Sequence, residues 1–589
     1  MNSPIVKTRC HWVSTTKSKS NSVDTLSLAK LRHLHEDGTE TSEVRPIRNF
    51  ERPYYITKKG LQSEHKQKRD WESYDRVVEY RCTDAALAAH AQKNLLGYSK
   101  SGFTRLMEVN RSPYLYGTDI TASTLIKESF NSKFKDYTPK ARIGVIDYET
   151  DMLSDDGYER IISGAVTTEG ISYLAVTKHF LRNYIDPEVK IQAKFDTYIG
   201  QLREQLDEIA DADLKRKTDG DDKAGFVHGS IQKFKALILD RLTFDFDIVE
   251  NDFEVSKACM DVLHKAQPDY AMAWNMNFDI KKMLQSCDLT GNKYSDLFVD
   301  KRVPEDFSIV DYVEGKQIKE KSNGESSSVG LLDLWHTMNA PASMEWVCPM
   351  AFRRLNRIME GMPGGSSLEY ALMEELGIGK LKFEFGDGYE GRDLHEFLQL
   401  NHPIDYLIYN VFDCLLVELY DIHTNDISIT LGTYLRNSPL QKAKSNPSRL
   451  ADESYFFLRD RGKVIQSVSD QLLTDMDKLL IKPTNWIITL PAELQQHTGR
   501  SMVYGIPDEF SRLSSDNGDI DLESSYPTNG TVMNISNGTT RMEMYSMDGI
   551  TEETQRRAGV DFTACDTNSV QLAREFYKAK TLNEALAYF

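Results

Sequence analysis

Between residue 140 and about residue 425, the sequence alternates short apolar runs with amphipathic helical segments. This alternation is typical of an α/β domain, in which helices cover a sheet. A chain of 589 residues is also too long for a single hydrophobic core. We therefore expect an α/β and α+β multidomain protein in which the alternating segment forms one domain.

The remaining segments differ from this one in composition. Residues before about 135 mix strand-like pieces with polar turns. Within the alternating segment, an acidic, helix-prone insert at 201–223 is predicted to lie on the surface, and a Ser- and Gly-rich stretch at 322–330 to form a loop. The predicted domains are 1–135, a mixed N-terminal domain with a basic start that could be flexible; 136–425, the α/β domain; 426–510, a connecting region expected to pack on the N-terminal domain; and 511–589, which includes a terminal helix.

Composition excludes several classes of protein. The sequence is 40% hydrophobic and 27% charged, which is typical of soluble globular proteins. No run approaches the length of a membrane span, and the N-terminus lacks the apolar core of a signal peptide. The seven cysteines are scattered without a C-x-x-C pair, which argues against a zinc site or a disulfide framework. We therefore expect a cytoplasmic protein with no membrane partner.

The net charge of −18 is unevenly distributed along the chain. Residues 1–69 contain 14 Lys and Arg against 7 Asp and Glu, so this segment carries +7 and the remainder carries −25. A basic segment of this kind either contacts nucleic acid or forms a solvated arm. An acidic protein can still bind nucleic acid through a local basic groove, so charge alone leaves the partner open.

An apolar, strand-like run at 143–146 leads directly into Asp147 and Glu149. Alternation puts both acids on one face of a strand, where their charges repel each other unless a cation lies between them. One interpretation is a strand that simply ends at a solvated turn. The other is a divalent-metal site, which requires further carboxylates from elsewhere in the chain.

A second acidic motif follows a predicted helix at 252–266 and a predicted buried strand at 270–274. It has the pattern N-x-x-F-D, formed by Asn275, Phe278 and Asp279. An aromatic residue before an acid at the end of a strand can also be simple packing. The motif is therefore weak evidence when it is taken alone.

A third motif lies on the segment 403–423, whose apolar residues recur with helical spacing. Pro403 suits the first turn of this helix. Tyr409 and Asp413 are four residues apart, so they share one face. They are either part of a site or an ordinary surface pair beside the core. Another predicted helix, at 366–377, has a Ser366-x-x-Glu369 capping box and Gly377 as its end.

In this order, D-x-E, N-x-x-F-D and Y-x-x-x-D resemble the three exonuclease motifs of the DEDD superfamily, tyrosine subtype. The resemblance implies a ribonuclease H-like domain with a mixed sheet and a 3′→5′ exonuclease that uses two Mg²⁺ or Mn²⁺ ions. Hard cations take oxygen ligands, which accounts for the carboxylates. The implied roles are Asp147, Glu149 and Asp413 on one ion, Asp147 and Asp279 on the other, Tyr409 orienting the attacking water, and Asn275 and Phe278 contacting DNA.

A further pattern, D-x-x-S-x-Y-P, begins at Asp521 and includes Ser524 and Tyr526. It resembles motif A of the palm in family B DNA polymerases, with Ser525 in place of the usual Leu. The stretches 367–384, 409–413 and 526–536 are similar to the replicative polymerases of T-even-type tailed phages. The resemblance covers roughly residues 110–540. It implies that Asp521 binds both palm metal ions and that Ser524 and Tyr526 contact the nucleotide.

The fingers helix of that family, K-x-x-x-N-S-x-Y-G, and its D-T-D motif are absent after Asp521. A D-T-N-S run at 566–569 has Asn568 where the acid is needed, and we expect it to cap a helix. Residues 511–589 are thus expected to form only the start of a palm. The chain would be the N-terminal part of a split or truncated polymerase. Its predicted partners are single-stranded 3′ ends, primer–template DNA, a second polypeptide with fingers and thumb, and replisome proteins such as a sliding clamp.

Two other functions are compatible with parts of this pattern. One is a free-standing 3′→5′ DNA exonuclease with a vestigial palm. The other is a non-catalytic scaffold that binds replisome partners. The presence of all four acids disfavours the scaffold, and the complete D-x-x-S-x-Y-P pattern mildly disfavours the vestigial palm.

Overall fold

The structure is a computed structural model that describes residues 3–64, 71–97, 105–154, 157–221, 224–315, 335–357, 365–386, 388–443 and 446–467. The predicted loop at 322–330 and the palm residues Asp521, Ser524 and Tyr526 lie outside the described residues. Contacts divide the chain into two compact units, one of 1–52, 81–87 and 120–454, the other of 53–80, 88–119 and, among the described residues, 455–467. This division cuts across the predicted N-terminal domain, and the four-domain organisation stays a prediction.

Both units contain strands and helices. The strands are β1 (Ile5–Lys17), β2 (Thr25–His35), β3 (Glu40–Arg48), β4 (Arg52–Thr57), β5 (Trp71–Ser73), β6 (Val77–Cys82), β7 (Leu115–Tyr116), β8 (Ile143–Thr150), β9 (Ile161–Thr168), β10 (Ile171–Thr177), β11 (Thr243–Val249), β12 (Tyr270–Met272), β13 (Asp311–Val313), β14 (Thr337–Asn339), β15 (Glu345–Val347) and β16 (Lys463–Ile465). The α-helices are α1 (Leu87–Leu96), α2 (Leu106–Val109), α3 (Ala122–Asn131), α4 (Pro187–Thr218), α5 (Phe226–Leu237), α6 (Asp252–Ala266), α7 (Met276–Thr290), α8 (Ser295–Phe298), α9 (Pro349–Asn356), α10 (Leu368–Leu376), α11 (Gly391–Asn401), α12 (Pro403–Thr424), α13 (Asp426–Ser428) and α14 (Asn446–Arg459). The structure is therefore mixed α/β, as predicted.

The central sheet of the first unit has six strands in the order β11-β10-β9-β8-β12-β15. Strand β9 runs antiparallel to β8 and β10, whereas β11 is parallel to β10, and β12 is parallel to both β8 and β15. The sheet is therefore mixed. Strand β9 is buried along its whole length, and both α6 and α12 pack against it. Helices thus cover both faces of the sheet.

Strand β8 determines which way the first two acids point. The ring of Tyr148 lies on the α6 side of the sheet, against Gly164 of β9. A Cβ atom at Gly164 would lie only 2.5 Å from that ring, so the close approach requires glycine. Because side chains alternate along a strand, Asp147 and Glu149 point to the opposite face. That face is covered by α12.

The predicted helices at 252–266 and 403–423 are confirmed as α6 and α12. The insert at 201–223 is helical where it continues α4, and most of its described residues are exposed, as predicted for a surface insert. One side of this helix is nevertheless buried. Leu202 and Leu206 are buried, because α4 packs on α12 along the apolar side of its length. Sequence composition detected the acidic face of this helix and overlooked its apolar stripe.

The helix predicted at 366–377 is α10, and it ends as predicted at Gly377, which has a positive φ of 71°. The predicted capping box is wrong by one residue. Ser367, and not Ser366, is the N-cap, and its hydroxyl accepts a hydrogen bond from the backbone N–H of Tyr370. The Glu369 carboxylate accepts instead from the backbone N–H of Lys380. This contact helps to fix the segment that follows α10.

The basic N-terminal segment is not a solvated arm where it is described, because β1, β2 and β3 form an antiparallel sheet. Lys30 and Arg32 on β2 are buried and lie close to Asp269, which precedes β12. Arg32 Nη2 donates to Asp269 Oδ2 at 2.5 Å, and Lys30 Nζ lies 4.0 Å from Oδ1. Burial raises the pKa of this carboxyl, but nearby His11, Arg32 and Lys30 hold the net pKa below its usual range.

We expect Asp269→Asn to lower the free energy of unfolding by about 3–5 kcal/mol, because it leaves two buried cations without their anion. The measurement is a urea denaturation curve for each variant. The matched control is Glu250→Gln, which removes an ion pair to Lys178 whose two side chains are 69% and 70% exposed. The control should change stability by less than about 0.5 kcal/mol. An equally small effect at Asp269 would contradict the role of this contact.

In the second unit, β4 lies between β6 and β7 in a small sheet, and β5 pairs with β16. Tyr55, Val77, Tyr116 and Val464 form a small buried cluster there. Among the helices of the described part of the chain, none combines the length and the apolar character needed to cross a membrane.

Candidate active site

Three acids from two distant segments meet beside the central sheet. Asp147 and Glu149 come from β8 and Asp413 comes from α12, and each offers a carboxylate oxygen within 4.8 Å of the other two. Glu149 is only 7% exposed and Asp413 only 5%. This burial rules out both a strand that ends at a solvated turn and an ordinary surface pair of Tyr409 and Asp413.

Asp279 lies in the first turn of α7 and is buried, but it is not part of the group of three. Its Oδ1 accepts a hydrogen bond of 3.2 Å from the backbone N–H of Tyr148, between the two acids of β8. Burial, with a further contribution from the charge of Glu149, raises the pKa of Asp279 to about 8. Asn275 stands exposed at the start of the helix, and Phe278 is half-buried.

The acids repel one another in the absence of a cation. Burial raises the pKa of Asp147 well above its usual value, and the charges of Asp279, Asp413 and Glu149 raise it further. Burial also raises the pKa of Asp413 to about 6, although Lys380 opposes the shift. Carboxyl groups in this situation hold protons until a positive ion replaces them.

Neighbouring side chains orient each acid through one of its oxygens. The three contacts are Asn410 Nδ2 donating to Asp147 Oδ2 at 2.7 Å, Tyr406 Oη donating to Glu149 Oε2, and Lys380 Nζ donating to Asp413 Oδ2. No described residue forms a hydrogen bond with the other oxygen of these carboxylates, which can therefore accept a further ligand. Hydrogen bonds of this kind fix the orientation of metal-binding groups.

Tyr409 lies beside the acids and is contacted by the same lysine. Lys380 Nζ donates to Tyr409 Oη at 2.8 Å and lies 4.8 Å from the centre of its ring. Burial lowers the pKa of Lys380, but Asp413 and Tyr409 outweigh it and the net pKa is raised well above its usual value. The lysine is therefore a permanent cation in contact with Asp413 and Tyr409.

His395 of α11 completes this side of the site. Its Nδ1 lies 3.5 Å from Glu149 Oε2 and 2.9 Å from Tyr406 Oη. The hydrogen bond to Glu149 raises the pKa of His395 above its usual value.

Sequence analysis missed Lys380, His395, Tyr406 and Asn410. Helical spacing could have found the last two, because 406, 409 or 410, and 413 lie three or four positions apart on one face. No local pattern pointed to Lys380 or His395. They reach the acids only because the segment after α10 and helix α11 fold against α12.

The donor atoms fit a hard divalent cation. They are carboxylate oxygens, which Mg²⁺ and Mn²⁺ prefer. Asp413 Oδ1 is buried and accepts no hydrogen bond from any described residue, so it is an available ligand atom. The repulsion among the acids would also be relieved by a cation at this position. The residues present therefore fit the metal ions expected from the sequence.

No family model matches the sequence, and a search of curated proteins finds no match.

We expect Mg²⁺ or Mn²⁺ to raise the melting temperature, because a cation that binds only the folded state stabilises it, by about 2.7 kcal/mol at 100 times its Kd. Asp279→Asn should reduce that rise because it replaces a carboxylate that is expected to bind the second ion. The matched control is Asp421→Asn, a buried acid of α12 outside the cluster, which should keep the full rise. A wild-type melting curve that is indifferent to Mn²⁺ would contradict metal binding.

Proposed function

We propose that this chain is a 3′→5′ DNA exonuclease of the DEDD type, tyrosine subtype, acting with two Mg²⁺ or Mn²⁺ ions. One observation carries the proposal: the oxygens of Asp147, Glu149 and Asp413 lie within 4.8 Å of one another although two of these acids are more than 260 positions from the third. An arrangement of buried acids that repel one another is costly for stability. Such an arrangement is typical of functional sites.

The divalent ions would supply an activated water and would stabilise charge on the leaving 3′ oxygen. Asp147, Glu149 and Asp413 would hold one ion, and Asp147 with Asp279 the other. Asn410, Tyr406 and Lys380 keep the ligand oxygens in position.

Tyr409 would orient the attacking water. Burial and the charge of Asp413 raise the pKa of its hydroxyl, so Tyr409 keeps its proton at neutral pH and does not act as a general base. The Lys380 ammonium donates to Tyr409 Oη, which leaves the hydroxyl proton free to point away from the lysine. Lys380 is therefore a positioning residue for Tyr409 and Asp413.

The substrate would be a single-stranded 3′ end. Asn275 is exposed and Phe278 is half-buried in the first turn of α7, the turn that also carries Asp279. A partly exposed aromatic ring can stack on a base without regard to its identity, and an amide can bond to a phosphate or sugar. Both residues would hold the terminal nucleotides beside the acids.

We further propose that the acids belong to a ribonuclease H-like domain and that the chain is the N-terminal part of a family B DNA polymerase. The mixed sheet, with β9 antiparallel between β8 and β10, supports the first point. The second rests on the sequence alone, because Asp521, Ser524 and Tyr526 lie outside the described residues. In this proposal a second polypeptide supplies the fingers and thumb, and a sliding clamp and other replisome proteins are further partners.

The test is a degradation assay with a 5′-labelled single-stranded oligonucleotide. The wild-type protein should shorten the strand stepwise from its 3′ end in Mg²⁺ and should leave it intact in EDTA. Shortening that persists in EDTA would refute the proposed metal-dependent chemistry.

Tyr409→Phe should lower the rate in this assay by about 10²-fold while degradation remains detectable, because the acids stay in place and only the positioning of water is lost. The matched control is Tyr370→Phe, which removes the hydroxyl of a 38% exposed tyrosine on α10. The control should keep the wild-type rate. A Tyr409→Phe protein as active as the control would show that this hydroxyl has no part in the reaction.

A further inference from the structure

A second charged site lies in the first unit, in an open cavity of about 370 Å³. It is bounded by β1, α3, α5, the segment before β8 and the segment after α12. The acids of the candidate active site do not line it. Five cationic side chains do, and no Asp or Glu is among the lining residues: Arg9, Lys127, Lys140, Lys233 and Arg436.

Most of these cations form no close ion pair with a described carboxylate. Within the described part of the chain, Asp421 attracts Lys140 and Lys233, and Glu345 attracts Lys127, but these carboxyls form no close ion pair with the lysines. Arg436 differs, because its Nη1 lies 3.4 Å from Glu453 Oε2 in a pair at the surface. Like charges that converge on one cavity repel one another, and a bound anion would relieve that repulsion.

Lys127 contributes most to the unfavourable excess of positive charge, because its side chain is buried and lines the cavity. Burial lowers the pKa of Lys127 to about 8, and the positive charge of Arg9 contributes to that shift. The charge of Glu345 attracts Lys127 and opposes this shift, and burial raises the pKa of Glu345 itself. A buried ammonium that forms no close ion pair with a described carboxylate favours the binding of an anion.

We propose that this cavity binds phosphate groups, either those of a free nucleotide or those of a nucleic-acid strand. Its volume is within the range of small-molecule sites, about 300–1,000 Å³. Arginine and lysine are the side chains that bind phosphate most strongly. The hydroxyls of Thr138, Ser428 and Thr433 also line the cavity and can donate to phosphate oxygens. The proposal does not depend on the nuclease activity.

The test compares two double variants with the same change in charge. Lys140→Gln/Lys233→Gln removes two exposed lysines of the cavity, so the fold should be retained. Lys133→Gln/Lys135→Gln removes two exposed lysines between α3 and β8 that do not line the cavity. The probes are ATP, measured by titration calorimetry, and a fluorescein-labelled dT12 strand, measured by anisotropy. Both are used in EDTA to prevent cleavage.

We expect the cavity variant to bind at least one probe about tenfold or more weakly than the wild type. The control variant should change the affinity for neither probe by more than about twofold. A loss of affinity for ATP identifies a nucleotide site, and a loss of affinity for dT12 identifies a site for a nucleic-acid strand. For dT12 the slope of log affinity against log salt should also fall, by about 1.4 for two lost contacts. Equal effects of the two variants on both probes, or no binding of either probe, would overturn the proposal. The Lys127→Met variant should also bind the same probe more weakly. It is used only if its melting curve is cooperative, which shows that it folds.

Discussion

We expect the Asp147→Ala/Glu149→Ala double variant to fold and to lose DNA degradation altogether, by at least about 10⁴-fold. The two acids supply ligands for both proposed metal ions. The variant should therefore fail to bind the ions, and not merely hold them in the wrong position. Folding should be retained because the carboxylates repel one another: burial and neighbouring acids already raise the pKa of Asp147 well above its usual value. Without added metal, the variant should melt no lower than the wild type. The measurements are the 5′-labelled degradation assay and thermal melting.

The matched control is Asp151→Ala, which makes the same chemical change two residues beyond Glu149. Asp151 follows β8 and is not part of the acid group. Its carboxylate accepts from the backbone N–H of Leu153, so the change should affect only a local turn. Wild-type activity of the Asp151 variant together with complete loss in the double variant would attribute the chemistry to the cluster. Undiminished cleavage by the double variant would remove the nuclease assignment.

We expect the isolated chain to be unable to extend a primer, whatever its nuclease activity. Nucleotidyl transfer with two metal ions needs carboxylates on both sides of the ion pair, and the palm-like motif supplies Asp521 for one side only. The lysine of the fingers motif, which would neutralise the triphosphate, is also absent from this sequence. A polypeptide bearing the fingers motif and D-T-D should form a complex with this chain and restore extension. The measurement is primer extension on a labelled primer–template.

In that complex, Asp521→Ala should abolish extension while degradation of single strands continues at the wild-type rate. The matched control is Asp566→Ala in the D-T-N-S run, where Asn568 stands in the position that would need the acid. Extension should persist in this control. Robust extension by the 589-residue chain alone would overturn the proposal of a divided polymerase.

The elements of the central domain could be predicted where their signal is local. The apolar stripe of α12 and the period-2 alternation of β8 are both set by the backbone of a single element, and both were correctly predicted as helix and strand. Errors occurred where a second segment changes the outcome. The buried stripe of the helix at 201–221 was not predicted, because it depends on the packing of α4 on α12. The N-cap of α10 is Ser367, one residue later than predicted, and Glu369 bonds instead to the backbone N–H of Lys380.

The sequence by itself determined that Asp147 and Glu149 share one face of a strand and that Tyr409 and Asp413 share one face of a helix, because side-chain direction follows from local backbone geometry. Only the tertiary structure decided that these two faces meet. It also decided that Asp279 accepts a hydrogen bond from the backbone N–H of Tyr148 and that Lys380 donates hydrogen bonds to both Tyr409 and Asp413. It also brought five cations from separate segments around one cavity. These contacts join residues that are distant along the chain, and their formation depends on how whole helices pack on the sheet, which no local pattern encodes.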